Sequence, residues 1–373
     1  MNSAINKREM GLITFVMVLT ACVFWLVIPQ LTLAQKPEPR KLFPISQKGK
    51  CGFIDVTGKI RIAPVFDNVE NFSEGLAAAE VNRKWGYIDE AGKWVIDPKF
   101  DMALRFSEGL AQVRIGGRWS AEPVYLTGGQ AAYIDRSGTI VFTLAQAPLG
   151  TAYNEYPFSE GRLPFEHGPK YGYLDQDGRT VIAPKFEYAG DFSEGLAGIV
   201  LNEKFGFIDK NGKVVIAAQY LTNGWGDQKG FSEGLVPAGM ENGKLGYLDK
   251  TGAFAIAPQF YQAEGFSEGL AVIRFTQDGK YGYIDKSGKL VIPPEFYVAE
   301  SFSEGLAAVR IDCNLWGYIN RTGKLVIEPQ FRSVKRFSGG LAEIAIGERW
   351  GYINQSGKIV WMSDPPASQP KHE

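Results

Sequence analysis

One short phrase returns along the chain and limits what it can fold into. Trp85-Gly86-Tyr87-Ile88-Asp89 comes back as Tyr281-Gly282-Tyr283-Ile284-Asp285, Trp316-Gly317-Tyr318-Ile319-Asn320 and Trp350-Gly351-Tyr352-Ile353-Asn354. All matches together make nine copies, centred on Gly52, Gly86, Ala132, Gly172, Gly206, Gly246, Gly282, Gly317 and Gly351. The spacings are 34, 46, 40, 34, 40, 36, 35 and 34 residues, a minimum near 34 with additions, as in a repeat array carrying loop insertions.

Each copy reads as three strands. Phe-Ser-Glu-Gly closes a loop, and a first strand such as Leu306-Ala307-Ala308-Val309-Arg310 follows. The aromatic-Gly-aromatic strand comes next, then a turn with Asp or Asn first and Gly fourth, then a third strand such as Lys324-Leu325-Val326-Ile327. Gly at that fourth position (Gly58, Gly92, Gly138, Gly178, Gly212, Gly252, Gly288, Gly323, Gly357) suits a type I turn closed by a residue at positive φ. Pro64, Pro98, Pro184, Pro258, Pro294 and Pro329 follow third strands and are expected to stop the ladder. A glycine in mid-strand is costly unless something approaches the backbone closely; a neighbouring ring, the Phe of Phe-Ser-Glu-Gly, is the expected visitor. No such unit buries its aromatics alone, so copies must share cores.

These segments resemble the WG-repeat family of bacterial proteins, whose hallmark is this Trp-Gly-Tyr-Ile-Asp, Gly-Lys and Phe-Ser-Glu-Gly-Leu pattern, over Lys41 to Trp361. Copy three departs most, with Ala131-Ala132-Tyr133 and no proline after its third strand. Copy nine has Phe337-Ser338-Gly339-Gly340, and copy one has Cys51 where Trp is typical. The resemblance implies a β-rich repeat protein, often extracytoplasmic, without established catalytic residues.

The expected fold is all-β, nine three-stranded antiparallel meanders over residues 41–361 stacked as an open superhelical array; the alternative is a propeller-like closed ring. Nine units exceed the four to eight blades usual in closed propellers, and the connections vary in length. Cys51 and Cys313 would then lie far apart, as two free thiols rather than a bridge.

The N-terminus is of another kind. Lys7 and Arg8 precede an apolar run from Gly11 to Pro29, and Thr32 and Ala34 supply the small residues of a signal-peptide cleavage site. Cleavage after Ala34, retention as a membrane anchor and lipidation at Cys22 are all compatible with residues 1–34. Each places the body outside the cytoplasmic membrane, with residues 35–40 as a tether and 362–373 as a disordered tail.

Composition narrows the function classes. Lys and Arg number 40 against 41 Asp and Glu, which gives no reason to expect nucleic acid. Only His167 and His372 occur, against histidine-based metal or acid–base chemistry. Glu74, Glu108, Glu160, Glu194, Glu233, Glu268 and Glu304 form a repeated column; a catalytic site needs one distinctive constellation, so a structural role is favoured over an acidic ribbon. Asp175-Gln176-Asp177-Gly178 lacks the ligand series of a calcium loop. No catalytic residue, metal site or cofactor is expected.

Insertions in repeat arrays map to loops on a face often used for binding. The inserted aromatics Trp119, Tyr125, Tyr153, Tyr156 and Trp225 are therefore the candidate binding residues, suited to a sugar or peptide. The expected role is an extracytoplasmic scaffold that binds a protein or cell-envelope component, not an enzyme, touching the membrane only through its N-terminal segment. The alternatives are an envelope glycan-binding or glycan-processing protein, and a spacer with no ligand.

Overall fold

The computed structural model describes residues 41–119, 126–144, 157–221, 230–240, 243–312 and 314–365. The leader, the tether, Cys313 and the last eight residues lie outside them.

Unit two shows how the repeat folds. Its strands are Asn68–Val69, Leu76–Val81, Lys84–Asp89 and Trp94–Phe100, paired antiparallel in that order. The expected three strands are thus joined in this unit by a short fourth, and five other units have the same four-stranded form. Units one, four and six have three described strands, and each carries a proline at the third position of its first strand: Pro44, Pro164 and Pro237. At the same position of unit two, the Ala78 carbonyl accepts Glu70 N–H from the fourth-strand side. Its own N–H points that way too, so proline there removes a donor a fourth strand would use.

The turn after the middle strand forms as the sequence suggested. Asp89 O accepts Gly92 N–H at 2.9 Å, and Asp89 Oδ1 accepts the N–H groups of Ala91 and Lys93. Asp or Asn does this in every unit because a short carboxylate or amide can bond its own backbone two residues on. The nine turn glycines hold φ between 78° and 85°, where a side chain would be strained.

The mid-strand glycine has a different cause from the one expected. Trp85 pairs with Phe100 and Tyr87 with Ile96, so two steps on the middle strand face four on the third. The third strand bulges at Asp97-Pro98-Lys99 and does not stop at its proline. A Cβ on Gly86 would meet Ile96 O, Asp97 C and Pro98 N, which are backbone and cannot yield. No aromatic ring lies over the glycine; the bulge does, and proline fits a bulge because it has no N–H to leave unpaired. Unit three confirms the coupling. Its third strand, Ile140–Thr143, has no proline, Ala132 pairs directly with Thr143, and alanine is accommodated.

First strands are buried on both faces; Ala77, Ala78 and Ala79 are all at 0% exposure. Third strands alternate, with Ile96 buried and Val95 at 48% exposure. Units therefore approach most closely at their first strands and splay at their third, the wedge a ring of blades requires.

Contacts between consecutive units repeat, and they continue from unit nine to unit one. Tyr87, Tyr173, Tyr247, Tyr283 and Tyr318 donate to the carbonyls of Leu104, Gly190, Glu264, Glu300 and Lys335 in the connection to the next unit, at 2.7–2.9 Å. Tyr352 of unit nine donates to Pro44 O of unit one at 2.9 Å. The Tyr87 ring lies 4.8 Å from Phe106 of the next loop and Tyr318 lies 4.9 Å from Phe337; Tyr352 lies 5.5 Å from Phe43. Gly92 and Gly323 sit on the third-strand residues Ile62 and Ile292 of the unit before, and Gly58 sits on Val360 of unit nine. Phe43, Ile45, Ile54, Leu341 and Tyr352 form one buried cluster.

The nine antiparallel meanders are present, each an open sheet, and their arrangement is the closed-ring alternative, not the open superhelical array. The physical reason is the end faces. An open array needs polar caps, whereas Phe43, Ile45 and Ile54 at one end and Leu341 and Tyr352 at the other are apolar. Joining them buries both. The ring also runs past Trp361: the last strand is Ile359–Met362, and Asp364 Oδ2 accepts Lys48 N–H at 3.2 Å.

Candidate functional site

Two ends of the blades offer surface. At the turn-glycine end, Ser-Glu-Gly-Leu forms a two-residue hairpin, with Ser73 N–H bonded to Leu76 O and Leu76 N–H to Ser73 O. Both central residues lie at positive φ, Glu74 at 52° and Gly75 at 79°. Glutamate is strained there, and its carboxylate explains its presence. Glu74, Glu108, Glu160, Glu194, Glu233, Glu268 and Glu304 each accept an N–H from a glycine in the next loop, at 2.7–3.1 Å.

A side chain from the following unit's turn completes the clamp. Lys210, Lys250 and Lys286 pair with Glu160, Glu194 and Glu233 at 2.9–3.0 Å, and Arg136 with Glu74 at 3.6 Å. Gln176, Arg321 and Gln355 donate to the carbonyls of Glu108, Glu268 and Glu304. The loop serines add a second stitch, Ser73 Oγ donating to Phe106 O at 2.6 Å and likewise on to Ser303 and Phe337. Burial alone would raise the Glu160 and Glu233 carboxyls; the lysine and glycine donors outweigh it and hold both below the ordinary range. The carboxylate column is an inter-unit clamp.

Unit nine has Gly339 where the others have Glu. A Cβ there would meet the Lys41 side chain, which reaches Ser338 Oγ from unit one. Lys41 replaces the missing clamp at the ring's seam.

Asp175 Oδ1 accepts Asp177 N–H and Arg179 N–H, an ordinary copy of the hairpin turn. His167 is exposed at the end of Leu163–His167. Cys51 is a free, half-buried thiol whose pKa burial raises.

The inserted-loop residues are not brought together among the described residues. Trp119 lies on a two-residue hairpin pairing Arg118–Trp119 with Leu126–Thr127; it is half-buried, and its indole N–H has no partner. Tyr125, Tyr153, Tyr156 and Trp225 lie outside the described residues.

At the opposite end, the residue after the third strand decides the chemistry. In the first half of the ring it is acidic and engaged. Asp67 takes Lys50 Nζ at 2.5 Å and Asn82 N–H at 2.7 Å, and Asp101 takes Lys84 Nζ and Gly117 N–H at 2.5 and 2.9 Å. Leading into units seven, eight and nine it is Tyr261, Tyr297 and Arg332, all exposed. Arg274 Cζ lies 5.1 Å from the Tyr261 ring centre and 5.0 Å from that of Tyr281. Lys280 Nζ lies 4.8 Å from the Tyr297 ring, Arg310 Cζ lies 5.1 Å from Trp316, and Tyr281 Oη donates to Gln262 Oε1 at 2.8 Å.

Tyr261 is 39% exposed and Tyr297 49%, too open to be core. Neither Arg274 nor Lys280 pairs with a carboxylate among the described residues, and Arg274 Nε is buried without a partner. The result is a run of rings and stacked cations over units seven and eight. Sequence reading missed it because its rings stand at regular repeat positions rather than in insertions; Tyr where other units have Asp or Glu was the available signal.

Fold and surface together define a nine-bladed β-propeller whose blade ends are clamped on one side and open to ligands in one sector of the other. The chain belongs to the WG-repeat family: the model of the WG containing repeat matches residues 52–85, 85–119, 171–205, 205–220, 246–281, 281–312 and 316–349. No curated protein matches the chain. Among solved structures, a eukaryotic initiation factor is similar at 12% identity and a TM-score of 0.61, over 87% of this chain and 96% of that one. That likeness concerns the fold. Weaker likenesses are to BamB from Moraxella catarrhalis (13% identity, TM-score 0.40, 86% and 95% covered) and to the dihydro-heme d1 dehydrogenase NirN (13%, 0.43, 87% and 73%).

Proposed function

We propose that the ring is an extracytoplasmic scaffold that holds a protein or cell-envelope component, without catalysis. The observation carrying this reading is the sector of Tyr261, Arg274, Lys280 and Tyr297, where exposed rings and unpaired cations replace the engaged carboxylates of Asp67 and Asp101. Contiguous exposed apolar surface of this kind marks interaction sites. The leader of residues 1–34 supports the location. The carboxylates that could serve acid–base chemistry are spent in clamps repeated around the ring.

Affinity capture from the organism's own envelope fraction tests the reading. The wild-type protein is expected to retain a component that a Tyr261→Ala/Tyr297→Ala variant of equal melting temperature does not. Equal retention by both proteins would move the site elsewhere, with Trp119 the next residue to change.

A further inference from the structure

We infer that the surface over units seven and eight recognises an acidic polysaccharide, a polymer whose sugars carry carboxylates or sulfates; this rests on the binding role just proposed and names its ligand class. Three cations, Arg274, Lys280 and Arg310, lie against rings in one sector. A guanidinium lying over a ring keeps its N–H edge for a planar anion, and arginine binds carboxylates and sulfates through that edge. For Arg274, held between Tyr261 and Tyr281, no protein carboxylate competes among the described residues. The acidic residues nearest in sequence are Asp278 and Asp312, both in exposed turns; Asp312 Oδ1 is engaged by the N–H groups of Asn314 and Leu315. The chain's near-neutral total charge conceals this local excess.

The rings supply the second half. Tyr261 and Tyr297 keep large areas in water, and a tyrosine offers an apolar face with a polar tip. A sugar presents a C–H face and hydroxyls together, which match that pair. Equivalent positions on successive blades repeat the arrangement, so a polymer with a regular repeat can engage more than one. An acidic peptide would need main-chain partners for its own amides. Here the N–H groups of Tyr261 and Tyr297 already bond Arg274 O and Arg310 O, at 2.7 and 2.8 Å. Recognition is left to side chains, which favours the glycan.

The test is titration calorimetry of the purified full chain with polygalacturonate, alginate, hyaluronan and heparin, with dextran as the neutral polymer and polyglutamate as the acidic peptide. The wild-type protein should bind at least one acidic polysaccharide, more weakly as salt rises, and not dextran. A Lys280→Ala/Tyr297→Ala variant changes two exposed side chains, so its melting temperature should be kept while affinity falls at least tenfold. Arg274→Gln should weaken binding in the same direction. Binding to none of the four acidic polysaccharides, equal or stronger binding to polyglutamate, or unchanged affinity in the double variant would overturn the proposal. If envelope capture still depends on Tyr261 and Tyr297 while all four polysaccharides fail, only the ligand class is wrong. If capture is also indifferent to those tyrosines, the scaffold site is wrong as well.

Discussion

Tyr352 donates its hydroxyl to the carbonyl of Pro44 at 2.9 Å, although 308 residues separate them in sequence. Five other units make the same bond to a carbonyl 17 residues ahead, so the seam reuses the contact that joins neighbours elsewhere. Pro44 is available as acceptor because unit one has no described fourth strand to occupy it. Truncating the seam should therefore destabilise the whole ring. Phe43→Ala is expected to cost about 3 kcal/mol, and Tyr352→Phe about 1 kcal/mol, read as shifts in the midpoint of urea unfolding.

The coupling of mid-strand glycine to third-strand proline gives a sharper contrast. Gly86→Ala puts a methyl into the Asp97-Pro98 backbone and should cost about 2 kcal/mol or more. The mirror change, Ala132→Gly in the unit without a bulge, should cost no more than about 1 kcal/mol. Equal effects at the two sites, measured by denaturant unfolding, would show that the bulge does not dictate the glycine.

Much of this architecture was legible in residues. Nine copies, turn glycines at positive φ and the meander order all followed from spacing, because Gly, Asp and alternating apolar residues act locally. The fourth strand was not legible, since two residues such as Asn68–Val69 carry no periodic signal. Proline was read as a stop because that is its usual effect in a ladder; its role in a bulge depends on the partner strand. Closure is a property of the ends, and its traces, Gly339 in place of Glu and Lys41 beside Ser338, acquire meaning only once units nine and one touch. Of the candidate binding residues, Trp119 alone falls within the described residues, and the sector at Tyr261 and Tyr297 was hidden because core and surface rings share the repeat's aromatic rhythm.

The Glu clamps set a direction for pH. Glu160 and Glu233 have carboxyl pKa values held below the ordinary range by their lysine and glycine partners, and Asp55 is held at about 2 as donors from Thr57, Arg61 and Lys59 outweigh its burial. A folded pKa below the unfolded one contributes stability that is complete above the unfolded value and is lost as pH falls through the folded value. The melting temperature should thus hold near neutrality and drop from about pH 4 towards pH 2. Glu233→Gln should lower the neutral-pH melting temperature, by about 1 kcal/mol of stability given the partial exposure of the pair. It should make little difference at the acid end, where the wild-type clamp is already protonated. A variant effect that stays constant with pH would argue against the ionic clamp.

Ring closure is the central claim, and a distance across the seam tests it most directly. Lys59 of unit one and Lys358 of unit nine stand at equivalent positions, each one residue after its turn glycine, as do Lys289 and Lys324 of the neighbouring units seven and eight. With Cys22, Cys51 and Cys313 replaced by Ser, spin labels at cysteines introduced in each pair report the two separations by double electron–electron resonance. The closed ring predicts the same narrow distance for both pairs. A Lys59–Lys358 distance well beyond that of the neighbouring-unit pair would show the ends apart and contradict the ring.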